Sequence, residues 1–170
     1  MAVKQMAELR AENVTFRLKP LGFEFPGEEW IRSDLSLLLA VNRQRLLIQP
    51  KHTPTLSLQS YQKLLVSARD FLDSCATEFG DLFDDTEPFV FVPPELNFEL
   101  ALLDTDLSTD GEGEVTIRVM IRVDETSSAS IGSTFSVDTS QFRWFLNTLE
   151  EEIEQIVRQR TASAFVVAEV

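Results

Sequence analysis

The chain has 170 residues, 44% of them hydrophobic and 25% charged, which suffices for one domain with a core that needs no disulfide or metal staple. Its formal net charge of −13 works against nucleic acid and anionic membranes, both of which are held through Lys and Arg. The single cysteine, Cys75, excludes an internal disulfide and fits a reducing compartment, with the cytoplasm as the expected location.

Residues 1–12 are polar and patternless and are expected to form a tail or a frayed helix. The ordered core is expected over 14–158 of a single domain spanning 1–170, with 161–170 as a second tail or an added strand at Phe165-Val166-Val167. Val14, Phe16 and Leu18 alternate with Thr15, Arg17 and Lys19, the period-2 pattern of a half-buried strand. Pro20 and Gly22 bend or end it, and Pro26-Gly27 marks a turn. A second strand is expected over Ile31–Val41, with Leu35, Leu37, Leu39 and Val41 on one face. Asn42-Arg43-Gln44 turns the chain into a third strand, Leu46–Gln49, and Pro50 and Pro54 bracket a break before Thr55–Leu58.

Ser60 reads as the N-cap of a helix whose stripe is Tyr61, Leu65, Ala68, Leu72, Cys75 and Phe79, with Gly80 as its stop. Asp81 to Glu87 is an acidic loop. Phe89–Val92 is extended, and Leu96–Leu102 and Val115–Val123 alternate cleanly as strands, joined by a long hairpin loop over Asp104–Glu114. Antiparallel pairing sets Glu99 against Arg118 or Arg122. After a Ser-rich loop over Asp124–Gly132, Thr134–Val137 is a short strand, Asp138, Thr139 and Ser140 offer a cap, and a last helix carries Phe142, Phe145, Leu146, Leu149, Ile153 and Ile156 on one face. Strands then a helix, twice over, with Thr55-Leu56-Ser57-Leu58 echoed by Thr134-Phe135-Ser136-Val137, predict an α+β fold. Its antiparallel sheet carries two helices on one face and holds the option of a duplicated unit.

Charge is distributed unevenly. Asp70 to Ile117 holds fourteen Asp or Glu residues and no Lys or Arg. Such asymmetry favours a basic protein partner, with Asp81, Asp84, Asp85 and Glu87 as contact residues. Trp144, beside Arg143 and off the helix stripe, is either a contact residue or packed against a loop.

Signals for chemistry are weak. His52 is the sole histidine, too few ligands for a usual zinc site; a Ser-His-Asp arrangement is possible in principle, since the chain has serines and aspartates, but no nucleophile elbow of the G-x-S-x-G kind is present. Cys75 has acidic sequence neighbours, Asp73 and Glu78, the reverse of what activates a thiol. Asp106-Leu107-Ser108-Thr109-Asp110-Gly111 imitates the start of a calcium loop, but Ile117 stands where the bidentate Glu belongs. With no P-loop and no G-x-G-x-x-G, no cofactor is expected, and the chain reads as non-catalytic.

Phe91-Val92-Pro93-Pro94-Glu95-Leu96-Asn97-Phe98-Glu99-Leu100, then Val115-Thr116-Ile117-Arg118-Val119, then Phe135-Ser136-Val137-Asp138 before a helix, resembles bacterial immunity proteins of the WapI type. Gly22-Phe23-Glu24-Phe25-Pro26 resembles that family's opening turn and Trp30-Ile31 the start of its second strand, so the likeness spans residues 14–155. Leu46–Thr55 stands where the family carries a tryptophan-rich segment. The resemblance implies a protein that neutralises a toxin by binding it and assigns no numbered residue to that contact. The other reading of the residues is a structural or regulatory module that forms a homodimer through an exposed sheet edge.

Overall fold

Alternating residues of nine strands bury one face of each of two antiparallel sheets, and two helices complete the core. This is the arrangement in the computed structural model, which describes residues 6–77, 87–95, 97–108, 110–124 and 129–167. The first sheet holds β1 (Glu8–Ala11), β2 (Val14–Phe23), β3 (Trp30–Val41), β4 (Gln44–Ile48) and β5 (Thr55–Ser57), followed by α1 (Leu58–Thr77). The second holds β6 (Phe89–Phe91), β7 (Phe98–Leu107), β8 (Gly113–Arg122) and β9 (Ser130–Asp138), followed by α2 (Thr139–Val167).

The two halves repeat one topology. In each, four strand positions pair in chain order and a helix follows. β4 pairs Leu37–Val41 and β5 pairs Trp30–Arg32, so together they run along β3 as one strand interrupted between Ile48 and Thr55, where Pro50 and Pro54 stand. β9 runs along β8 without a break, from Ser130↔Arg122 to Asp138↔Glu114. Asn42 and Arg43, at φ 50° and 65°, make the left-handed two-residue turn that suits the twist of the β3–β4 hairpin.

Each helix also crosses to the other half. α1 packs on β6 and β7, and α2 packs on β1 and β2. Phe16 of β2 places its ring 6.2 Å from Phe98 of β7 and 6.0 Å from Phe145 of α2. One continuous core of buried residues therefore unites both sheets and both helices.

Several expectations from the sequence need correction. Residues 8–11 are a strand and not a tail, because Glu8 is buried as an ion pair: Arg17 Nε donates to its Oε1 and Arg10 Nε to its Oε2, each at 2.9 Å. The cap of α1 is Ser57 and not Ser60, since the helix starts at Leu58 and Ser57 Oγ accepts the Ser60 N–H at 3.0 Å. The loop between β7 and β8 is short, because β7 continues through a bulge between Leu102 and Asp104 as far as Leu107. β9 is nine residues long and begins inside the expected Ser-rich loop. Residues 161–167 continue α2, so Phe165-Val166-Val167 is helix and not strand. Phe79 and Gly80 lie outside the described residues.

Glu8→Gln is expected to cost about 1.5–3 kcal/mol at neutral pH, since it weakens charge-assisted bonds to a buried carboxylate. Burial alone would raise the Glu8 pKa, but the hydrogen bonds from Arg10 and Arg17 hold it below the ordinary carboxylate value. A lowered folded pKa stabilises above the unfolded value, and that stability disappears as pH falls through the folded one. Urea unfolding should therefore show the gap between wild type and variant closing in acid. A gap independent of pH would exclude the ion pair as its cause.

Candidate partner-binding surface

Strand register places three carboxylates in a row. Asp106 of β7 pairs Glu114 of β8, and Glu114 pairs Asp138 of β9. Directly paired residues share one face of a sheet, with Cβ atoms about 4.5–5.5 Å apart. All three side chains are exposed. Like charges directly opposite each other destabilise a sheet. Asp104, also exposed, lies two residues from Asp106 on the same strand, and its partner is Thr116.

The turn that follows β7 extends this acidic end. Ser108 N–H donates to the Glu112 carbonyl at 2.8 Å, and Gly111 N–H donates to the Ser108 carbonyl at 2.9 Å. The Asp110 carboxylate accepts from the Ser108 hydroxyl and from the Glu112 N–H, which hold its pKa below the usual range. Gly113 approaches the Asp106 carbonyl so closely that a side chain there would collide with backbone. Thr139 does not act as a free cap: its hydroxyl accepts the Gly113 N–H at 3.1 Å, which ties the start of α2 to this turn.

The contact residues read from the sequence are placed unequally. Asp81, Asp84 and Asp85 lie outside the described residues. Glu87 is exposed two residues before Phe89, whose partner on β7 is Leu102, so it enters the second sheet at the end that carries Asp104 and Asp106. Trp144 is 40% exposed on α2 and has Gln141 and Asn147 one turn to either side. Register adds Asp106, Glu114 and Asp138. The first two lie in the acidic run, but Asp138 lies outside it, and no local pattern sets the three opposite each other. Elsewhere the expected cross-strand pair is present: Arg118 meets Glu99 at 2.7 Å.

His52 lines a pocket of about 160 Å³ at the seam between the halves, together with Lys51, Glu95, Asn97 and Arg122. Glu95 is committed there to the start of α1, where its carboxylate accepts from the Ser57 N–H at 3.1 Å and from the Ser60 hydroxyl at 3.3 Å. Asn97 donates to the Thr55 carbonyl at 3.1 Å. Four of the lining residues are Pro50, Pro54, Val123 and the exposed His52, and none of the rest is Ser, Thr or Cys, so no hydroxyl or thiol lines the pocket with the imidazole. Because Glu95 caps the helix of the other half, Glu95→Ala is expected to cost about 0.5–2 kcal/mol in thermal unfolding. No change in stability would show that the cap is not held in solution.

Cys75 is a half-buried free thiol. Ile117 is fully buried in β8, so the position that would complete a calcium loop supplies no ligand. Among the described residues no three His, Cys, Asp or Glu side chains are grouped as a metal ion requires. No helix among them is long and apolar enough to cross a membrane.

The family model described as immunity protein WapI-like family matches residues 8–156. The match begins at the first residue of β1 and ends inside α2, so it takes in both sheets. No curated protein matches the chain.

Proposed function

The chain belongs to the WapI-like immunity protein family, and on that premise we propose that it neutralises a toxin by direct, non-catalytic binding in the bacterial cytoplasm. The partner is a basic protein, and the contact is the acidic end of β7, β8 and β9, with Glu87 at its border. The in-register row Asp106–Glu114–Asp138 carries this reading. A row that opposes folding is accounted for when a cationic surface neutralises it on binding. Asp81, Asp84, Asp85 and Trp144 extend the proposed contact, with Trp144 as its aromatic anchor. Steering between opposite charges raises the association rate and makes binding salt-sensitive.

Affinity capture from the source cell at low and high salt tests the proposal. A basic protein retained at low salt and released at high salt is the expected result, with affinity falling by at least about tenfold across the range. Retention of acidic or neutral proteins alone would refute it.

A further inference from the structure

The β3–β4 hairpin reverses the character of the rest of the surface. Among the described residues β4 is the terminal strand of the first sheet and is paired only to β3. Leu46 and Leu47 are 56% and 55% exposed, and they alternate along β4, so both faces of the strand present leucine to solvent. Val41 at the hairpin end is exposed as well. The charges here are basic: Arg43, Arg45 and Lys51 are all exposed, and among the described residues none of them makes an ion pair. By contrast Arg10, Arg17, Arg69, Arg118, Arg143 and Arg158 each meet a carboxylate.

A charged edge strand is by itself a device against aggregation, because arginine and lysine discourage pairing between sheets. That device is weakened where leucines stand exposed on the same strand. An edge of unpaired backbone groups, apolar side chains on both faces and unpaired cations is instead the complement of an extended acidic segment. A second copy of this chain fits poorly. Pairing β4 with itself gathers Arg43 and Arg45 of both copies at one seam, where like charges repel, whereas an acidic strand neutralises them.

We propose that β4 is a second docking site, independent of toxin neutralisation, which adds an acidic, extended segment of another protein as a further strand of the first sheet. Main-chain bonds to Gln44–Ile48 supply the pairing, Leu46 and Leu47 take alternate apolar side chains, and Arg43, Arg45 and Lys51 select for acid.

The probes are synthetic peptides of about eight residues, a strand's length. One alternates glutamate with valine, one alternates lysine with valine, and one is the glutamate peptide with a central proline. Titration into isotopically labelled full-length protein at low salt should move the amide signals of Gln44–Ile48 with the glutamate peptide and slow their hydrogen exchange. The lysine peptide should bind at least about tenfold more weakly because its charge is reversed, and the proline peptide likewise because it cannot complete the ladder. A doubly substituted R43E/R45E protein should lose about tenfold or more for the glutamate peptide. Three results would overturn the site: equal binding of glutamate and lysine peptides, no binding of any peptide, or shifts centred away from β4. Self-association of R43E/R45E with no peptide binding by the wild type would assign the arginines to protection of the edge alone.

Discussion

Glu114→Lys is expected to make the protein more stable and to cripple its binding at the same time. Glu114 is the middle member of the row, with Asp106 on one side and Asp138 on the other. Lysine there converts two repulsions into two attractive cross-strand pairs. With each pair worth about 0.2–1 kcal/mol, the gain is about 0.4–2 kcal/mol, or a few degrees in Tm. If the acidic end is the contact surface, the same change sets a cation against a basic partner. Affinity should then fall about 100-fold, mostly through slower association at low salt. Glu28→Lys, exposed between β2 and β3, makes the same change in net charge in the other half and should leave affinity within a few-fold. The pair of readouts separates two explanations of the row. A variant that gains stability and still binds normally would remove the acidic end from the contact. A variant that loses stability would show that the row is not repulsive, and with that the main argument for a site there would fall. Proteins that keep a destabilising cluster at a functional surface commonly show this trade between stability and activity.

The sequence carried the parts of this fold that local periodicity encodes. β8 alternates along its ten residues, β2 from Val14 to Pro20 and β3 from Ile31 to Leu35, and their inward apolar positions join the core. The strands that escaped local reading lack that signal for identifiable reasons. β1 is four residues long, and its Glu8, on the face opposite Leu9, is buried because Arg17 comes from the next strand to meet it. The end of β7 is hidden by a bulge between Leu102 and Asp104, which puts the alternation out of phase. Residues 161–167 end in Phe-Val-Val, a β-prone string, yet they extend a helix already under way from Thr139. The acidic row was legible as composition but not as geometry. Asp106 and Glu114 belong to the run without Lys or Arg, whereas Asp138 joins them only through the β8–β9 register. Register between strands joined by a loop is a tertiary property, set by the whole hydrophobic face and not by any short motif.

Phe16→Ala is expected to be the most damaging single substitution considered, and its effect should reach both halves equally. Phe16 is fully buried, pairs with Leu9 and Leu37 in its own sheet, and reaches Phe98 and Phe145 of the second half. Removing such a ring costs about 3–5 kcal/mol through lost transfer energy and the cavity left behind. Total stabilities are about 5–15 kcal/mol, so the loss is a large share of what holds the fold. The repeat in topology could tempt one to treat the halves as two folding units. The packing argues for one, because α1 lies on β6 and β7 while α2 lies on β1 and β2, and neither half closes its core alone. Trp30 on β3 and Trp144 on α2 provide a reporter in each half. With Trp144→Phe the fluorescence follows the first half, and with Trp30→Phe it follows the second. Both should give the same urea midpoint in the parent, and Phe16→Ala should shift both midpoints by the same amount. Val66→Ala, at an exposed position on α1, should shift neither by more than about 0.5 kcal/mol. If Phe16→Ala moved the Trp30 transition and left the Trp144 transition in place, the halves would be separable units. The acidic end, built wholly from the second, would then be expected to survive the loss of the first.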